Sequence, residues 1–150
     1  MCLFIGSATA FSADYPMDAD SICIPATIET QTGKSLALSL ELAVTPQTTK
    51  QGLMFREFLA PLGGMIFVFY PPQDVAMWMK NTLIPLDMIY VSETGRVIKV
   101  HENAIPHDLT PLWAGAKTLY VIELRGGAAR RFGIKQGDQL QIPKGILNFQ

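Results

Sequence analysis

Two carboxylates lie inside apolar runs of the sequence, where an unpaired charge would be costly. Asp87 belongs to PLDMIYV (85–91) and Glu123 belongs to TLYVIEL (118–124). Because side chains along a strand alternate between its two faces, each acid falls on a face that otherwise carries apolar residues. A buried carboxylate must be paired, hydrogen-bonded or protonated. We therefore expect these acids either to form structural ion pairs or to do acid–base chemistry, one of them with a raised pKa.

Two cations are candidate partners for these acids. Arg56 comes at the end of a predicted helix, and Lys80 lies in the segment that leads to Asp87. A pair between Arg56 and Asp87 would pin the helix to the sheet, and this structural interpretation is the one that we favour. In the catalytic interpretation, Asp87 and Glu123 act together with Lys80 or Arg56. The candidate buried charge cluster consists of Arg56, Asp87 and Glu123.

The segment WMKNT (78–82) brings an aromatic ring, an ammonium, an amide and a hydroxyl close together. Trp78 and Lys80 share one face of the predicted strand. An ammonium beside an amphipathic ring suits an oxygen-rich or anionic ligand, so we expect this segment to reach a solvent-connected concavity. The alternative is that Asn81 and Thr82 only satisfy backbone groups at the following bend. The candidate ligand-binding residues are Trp78, Lys80, Asn81, Thr82 and Trp113.

Other kinds of site have little support in the sequence. His101 and His107 each precede an acid but straddle a loop, so they are expected to face solvent and not to bind a metal. Cys2 and Cys23 lack the spacing of a zinc site. The chain contains no GxSxG, GxGxxG or GxxxxGK[ST] motif, which argues against a hydrolase elbow and against nucleotide binding. The sequence therefore predicts no metal site and no cofactor.

The strands and helices that position these residues belong to one domain with a large hydrophobic core. The chain has 150 residues, of which 49% are hydrophobic and 17% charged, and a formal net charge of -1. One domain is the default at this length. Cations are scattered instead of forming a stripe, which argues against nucleic-acid binding. The sequence has no run of about 20 apolar residues, so no transmembrane span is predicted.

The first residues are typical of an export signal. Ala8-Thr9-Ala10 follows a short apolar run and fits an A-x-A cleavage site. We interpret residues 1–24 as a signal-peptide remnant and linker, and residues 25–150 as a single β-domain. This predicts a periplasmic or secreted protein. The alternative is an N-terminal apolar strand that packs on the body of the domain.

Most of the remaining sequence reads as strands. A helix is predicted over 46–59, because Thr45-Pro46 is a typical helix start, and helical turns are predicted over 126–132. Residues 103–117 have no period, and a loop of this length is often functional, so we expect it to border the concavity. The predicted strands cover 26–30, 35–44, 65–70, 75–81, 85–91, 96–102, 118–124 and 138–142. The fold class is mostly β: a single-domain β-sandwich or partly open barrel of seven or eight strands with one short helical insertion.

Several blocks of the sequence resemble the domain of unknown function 192 family. The blocks are QGLMFR (51–56), GMIFVF (64–69), MWMKNTLIPLDMIYV (77–91), VIEL (121–124) and GIKQGD (133–138). The resemblance covers roughly 36–142 and implies a compact, mostly β domain of bacteria and archaea that is frequently exported. It implies no established activity, cofactor or catalytic residue. The matching positions include Gly52, Arg56, Trp78, Lys80, Asn81, Thr82, Asp87 and Glu123.

Three hypotheses for the function remain. The leading one is an exported binding or accessory module for a carbohydrate, peptide or envelope ligand. The second is a hydrolase or lyase that uses Asp87 and Glu123, and the third is a purely structural partner domain. A pocket that contains both carboxylates would favour the enzyme. An aromatic groove with both carboxylates held in ion pairs would favour binding.

Overall fold

Two alternating segments form the first hairpin of the main sheet. The computed structural model describes residues 22–145, so residues 1–21 of the predicted leader and linker lie outside the described residues, whereas Cys23 and Ile24 belong to the first strand. β1 (Cys23–Glu29) pairs antiparallel with β2 (Ser35–Ala43), and Gly33 has a positive φ of 81° in the turn between them. The alternating leucines of β2 are buried on one face, as the sequence predicts.

The helix that follows is shorter than predicted. α1 (Pro46–Gln51) begins with a capping box in which the Thr45 hydroxyl accepts a hydrogen bond from the Thr48 amide. It ends at Gly52, which adopts a φ of 50° and donates its amide to the Thr48 carbonyl. Positive φ is incompatible with a right-handed helix, so the predicted helix over 46–59 stops here. The residues that follow form an irregular loop leading into the next strand.

The apolar runs form the centre of the sheet. β3 (Gly63–Gln73) pairs antiparallel with β8 (Thr118–Arg125), and β8 also pairs with β5 (Leu86–Val91). β6 (Val97–Ala104) completes a hairpin with β5. Every residue of β5 and all but the last residue of β8 are buried. Continuous apolar runs are typical of strands that are covered on both faces, which is what these two strands are.

The strand order is β6-β5-β8-β3-β2-β1-β9, where β9 (Gln139–Gln141) pairs with β1. β2 and β3 are parallel, and the loop that contains α1 makes the crossover between them. The two edges of the sheet approach each other at one end. There the Gly137 amide donates to the Val97 carbonyl at 2.8 Å, and the Leu140 amide donates to the Gly95 carbonyl at 2.7 Å.

A second, small sheet and a second helix complete the domain. β4 (Ala76–Met77) pairs with β7 (Leu112–Trp113), so the predicted strand over 75–81 is reduced to two residues. β7 lies inside the segment 103–117, which the sequence analysis took to be a loop throughout. α2 (Ala128–Phe132) corresponds to the predicted helical turns. Both helices in the described part of the chain are too short to cross a membrane.

Each face of the main sheet packs against its own apolar cluster. One cluster includes Leu40, Ile89 and Ile122, and the other includes Phe67, Met88 and Tyr90. The sheet curls into a half-barrel, which confirms the predicted mostly β class with a partly open barrel. The candidate site residues divide between these two faces.

Candidate functional site

One row of residues crosses the main sheet on the Phe67 face. Met65 of β3 pairs with Glu41 of β2 on one side and with Glu123 of β8 on the other, and Glu123 pairs in turn with Met88 of β5. Neighbouring strands are about 4.8 Å apart, so the backbones of Glu41 and Glu123 are separated by roughly 10 Å. Both acids are buried, with exposed fractions of 3% and 4%.

Glu41 is neutralised by Arg56. The two guanidinium nitrogens of Arg56 donate to the two carboxylate oxygens of Glu41, at 2.9 and 2.7 Å. A bidentate pair of this kind is strong and directional. The predicted pairing of Arg56 with Asp87 is therefore wrong. Strict alternation would place Glu41 on the polar face of β2, yet both faces of that strand are buried from Leu40 onward, so Glu41 could not be recognised from the sequence as a buried partner.

Asp87 lies on the opposite face of the sheet and is held by backbone amides. One of its carboxylate oxygens accepts from the amides of Asn103 at 2.8 Å and Gly127 at 3.0 Å. The other accepts from the amide of Ala129 at 2.7 Å. The bonds from Gly127 and Ala129 fix the start of α2 against the sheet, and the bond from Asn103 ties in the end of β6. Asp87 and Glu123 therefore do not share a pocket, and the charge cluster of Arg56, Asp87 and Glu123 does not form.

Glu123 is the acid for which the fold supplies no partner. Within residues 22–145, no cation and no hydrogen-bond donor contacts its carboxyl group. Burial raises the pKa of Glu123 from 4.5 to about 8, so the carboxyl is largely protonated at neutral pH. The nearby Tyr90 hydroxyl donates to the Leu112 carbonyl at 2.6 Å. Burial raises the pKa of Tyr90, and the charge of Glu123 raises it further.

The carboxyl of Glu123 lines a cavity of about 120 Å³, which we call the Glu123 pocket. Its walls are the C-terminal end of α1, the rings of Phe67 and Phe69, and the segment that follows β4. Gly52 lets the end of α1 pass closely over the sheet. A Cβ atom there would lie 3.2 Å from the Phe67 ring and 4.0 Å from a carboxyl oxygen of Glu123.

Three residues of the WMKNT segment line the Glu123 pocket: Trp78, Lys80 and Thr82. The Lys80 ammonium lies 5.3 Å from the centroid of the Trp78 ring, within cation–π range. Both side chains are exposed, whereas Thr82 is buried and its hydroxyl donates to the Lys80 carbonyl at 3.2 Å. The segment is a turn at this point instead of the predicted strand.

The other two predicted ligand-binding residues lie outside the pocket walls. Asn81 has a φ of 53°, and its side-chain amide is 3.9 Å from the Met54 sulfur. Trp113 is 53% exposed in β7 and pairs with Ala76. Segment 103–117 contacts the WMKNT turn, because the Met79 amide donates to the Asp108 carbonyl at 2.9 Å. No residue of segment 103–117 lines the Glu123 pocket. The prediction that this segment borders the concavity is therefore wrong.

A strained backbone contact joins the loop after α1 to the WMKNT turn. Phe55 has a φ of 63° and donates its amide to the carbonyl of Asn81 at 2.9 Å. A bulky residue with positive φ is uncommon and costs about 1–2 kcal/mol. The Phe55 ring is nevertheless 65% exposed, so packing of the ring does not explain the strain. Strain of this type is concentrated at functional sites.

α1 contributes pocket residues that the sequence analysis did not identify. Thr49, Lys50 and Gln51 line the pocket beside Gly52. Their position depends on how α1 crosses the sheet, and a six-residue helix with no buried residue gives no apolar stripe from which to read it. The block QGLMFR (51–56) contains the sequence signal for this arrangement, because its glycine indicates a backbone position that needs positive φ.

Metal ligands are not assembled in the described part of the chain. Residues 22–145 contain no group of three or more His, Cys, Asp or Glu side chains that could hold an ion. The polar side chains around the Glu123 pocket are instead one acid, two lysines, an amide and two hydroxyl groups, set among aromatic and aliphatic residues. This set can donate hydrogen bonds and attract negative charge.

Comparisons with known proteins agree with this description of the fold. The chain is similar to a crystal structure from Sinorhizobium meliloti 1021 whose protein is named a "putative transcription regulator", with 37% identity, a TM-score of 0.81, and coverage of 84% of this chain and 98% of that chain. It is also similar to a protein of unknown function from Novosphingobium aromaticivorans DSM 12444, with 41% identity, a TM-score of 0.80, and coverage of 91% and 99%. No curated protein matches the chain.

A match to a family model assigns the chain to a protein family. The model of the domain of unknown function 192, described as "Uncharacterized ACR", matches residues 27–142. The match includes the complete Glu123 pocket and runs from within β1 to the end of β9. This chain therefore belongs to the domain of unknown function 192 family.

Proposed function

We propose that this protein is a binding module for a small, oxygen-rich anion that occupies the Glu123 pocket. The observation that carries the proposal is the state of Glu123. Its carboxyl is buried, faces a cavity and has no partner within residues 22–145. A buried polar group without a partner is costly, so it marks a position where a ligand would supply the missing hydrogen bond.

Electrostatics support an anionic ligand. The raised pKa keeps Glu123 neutral at pH 7, where its carboxyl can donate a hydrogen bond to an oxygen atom. Lys80 and Lys50 supply positive charge at the mouth of the pocket. Glu123 is the one acid among the described residues that line it. A cationic ligand would meet two ammonium groups and, at neutral pH, no carboxylate.

The size and lining of the pocket support a small ligand group. A cavity of about 120 Å³ holds a few non-hydrogen atoms, such as a carboxylate with the atoms next to it. The Trp78 ring offers an apolar wall beside the Lys80 ammonium. A few convergent polar groups with aromatic walls are the usual composition of a small-molecule site.

An enzyme that uses the same carboxyl is a second candidate. A pKa of about 8 in a pocket suits a general acid or base near neutral pH. The two-carboxylate mechanism is not supported, because Asp87 lies on the other face and is occupied by backbone amides. Catalysis would therefore depend on Glu123 alone, with Lys80 as the charged neighbour. Recovery of a bound probe in altered form would favour this candidate over the binding module.

Nuclear magnetic resonance titration would test the binding proposal. D-galacturonate is the anionic probe, and D-galactose is its neutral counterpart. We expect saturable shifts of the Trp78 indole and Gly52 amide with galacturonate, and none with galactose. Lys80→Ala should weaken binding about tenfold, equivalent to about 1.4 kcal/mol. Lys135→Ala, which removes an exposed lysine remote from the pocket lining, is the matched control and should bind normally.

The pH dependence gives this test a second readout. Because an ionised Glu123 would repel an anion, the affinity of the unmodified protein should fall as the pH rises above about 8. Glu123→Gln keeps a donor without the charge, so its affinity should stay nearly constant through the same pH range. The proposal is refuted if neither galacturonate nor inorganic phosphate shifts the pocket resonances saturably.

We further propose that the module acts outside the cytoplasm. The small-residue run Ala8-Thr9-Ala10 supports this proposal, although it precedes the described residues. Mass spectrometry of protein from its native source should find a mature start near Phe11 or Asp14. An intact chain that begins at Met1 would contradict the export proposal without affecting the binding proposal.

A further inference from the structure

A second concavity adjoins the Glu123 pocket. It lies between the start of α1 and the C-terminal half of β3, has a volume of about 530 Å³, and we call it the Tyr70 cleft. Thr49, Lys50 and Phe69 line both the cleft and the Glu123 pocket. Because three residues line both, the two concavities lie side by side over α1.

We infer that the ligand is an acidic oligosaccharide, whose acidic unit lies in the Glu123 pocket while the next unit packs on Tyr70 in the cleft. This inference rests on the function proposed above and names its ligand class. A single small anion would occupy the pocket and leave the adjoining cleft open to a second unit. A chain of at least two units would use both.

The composition of the Tyr70 cleft fits a sugar ring. The Tyr70 ring is 62% exposed and Phe69 is half-buried, so both can offer aromatic surface to the C–H face of a pyranose. The Gln73 amide and the Thr49 hydroxyl can hydrogen-bond ring hydroxyls. Among the described residues that line the cleft, none is acidic.

The position of Lys50 explains how one charge could serve both units. Lys50 lies in the wall common to the pocket and the cleft, whereas Lys80 lines the pocket alone. The pocket therefore has two ammonium groups and the cleft has one. This gradient predicts that the acidic unit is required in the pocket and that a neutral unit is accepted in the cleft.

Calorimetric titration with oligosaccharides of increasing length tests the inference. The probes are mono-, di- and trigalacturonate. We expect digalacturonate to bind about tenfold more tightly than the monomer, with little further gain from the trimer. Tyr70→Ala should remove the gain of the second unit, so that it binds mono- and digalacturonate with similar affinity. Tyr70→Phe should keep most of the gain, because it retains the ring.

Two further variants distinguish a loss of binding from a loss of folding. Gln73→Ala changes an exposed residue at the end of β3 and should also reduce the gain selectively. Trp113→Ala removes an exposed ring outside both concavities and should change nothing. If Tyr70→Ala and Gln73→Ala lose the dependence on chain length but still bind the monomer, the loss cannot arise from unfolding.

The outcomes separate this inference from the proposed function. Equal affinities for mono- and digalacturonate would overturn the oligosaccharide inference while the binding module stands. Absence of binding by every probe would overturn both. A triglutamate peptide that shows the same dependence on Tyr70 would replace the glycan with a peptide as the ligand and overturn the inference.

Discussion

Glu41 and Glu123 flank Met65 in a single row of the sheet, and within the described residues Arg56 pairs with Glu41 while Glu123 faces a cavity. The two acids are equally buried, so depth does not explain the difference. It follows from what covers each position: the loop after α1 brings a guanidinium to Glu41 and leaves the pocket over Glu123. One carboxylate is thereby structural, and the other is available for a ligand.

The first prediction concerns the stability of the protein as a function of pH. In the folded state the pKa of Glu123 is raised from 4.5 to about 8. Between these values the folded protein retains a proton that the unfolded chain has released, so the free energy of unfolding should fall as the pH rises. The contribution is complete below about pH 4.5 and lost above about pH 8, with a slope of up to about 1.4 kcal/mol per pH unit.

Urea denaturation of Glu123→Gln at several pH values measures this slope. The variant should lack the decline between pH 5 and pH 8 and become the more stable protein at the alkaline end. Tyr90 stays neutral in this range because its own pKa is raised, so it adds no slope. Glu57→Gln, at an exposed position, is the control and should follow the unmodified protein. Parallel curves for Glu123→Gln and the unmodified protein would contradict the prediction.

The second prediction concerns Arg56. Arg56→Ala leaves Glu41 buried without its bidentate partner and should lower the free energy of unfolding by about 3–5 kcal/mol. Removing both members, as Arg56→Ala with Glu41→Leu, should cost less than Arg56→Ala alone, because no stranded charge remains. Urea denaturation of the single and double variants checks the order. A loss below about 0.5 kcal/mol for Arg56→Ala would mean that the pair is not structural.

The third prediction separates Asp87 from Glu123. Asp87→Asn replaces an oxygen that accepts backbone hydrogen bonds with an amide that repels these donors, and it should cost about 1–3 kcal/mol. Asp74→Asn, whose ion pair with Lys117 is largely exposed, should cost less than about 1 kcal/mol. Comparable losses in the two variants would show that the amide contacts contribute little. The folded fraction of Asp87→Asn should still bind galacturonate, since the Glu123 pocket is on the other face.

The fourth prediction concerns the close approach of β3 and β8 beside the site. A Cβ atom on Gly64 would lie 2.1 Å from the Glu123 carbonyl oxygen, which the backbone cannot relieve without moving apart. Gly64→Ala should therefore destabilise the domain by at least about 3 kcal/mol. Gly115→Ala is the control: its Cβ would meet nothing within 4 Å, and its φ of 79° costs only about 1–2 kcal/mol. Equal melting temperatures of the two variants would refute the argument.

Alternation and apolar runs predicted most of the sheet and both buried acids of the central strands. They could not predict which cation meets which acid, because the pairing of Arg56 with Glu41 depends on the path that the irregular loop after α1 takes over the sheet. The strand predicted over 75–81 ends early for a similar reason, since the Met79 amide bonds to the Asp108 carbonyl. The Glu123 pocket depends on four separate segments, so its residues were predicted only in part.

The hydrogen bonds that join the two edges of the sheet, from Gly137 to Val97 and from Leu140 to Gly95, also bear on the fate of the protein at high concentration. An exposed strand edge can recruit a strand from another molecule and so begin aggregation or domain swapping. At this junction the amides and carbonyls are already bonded within one chain. A second molecule therefore has little to pair with there, and growth of a fibril from this end of the domain is disfavoured.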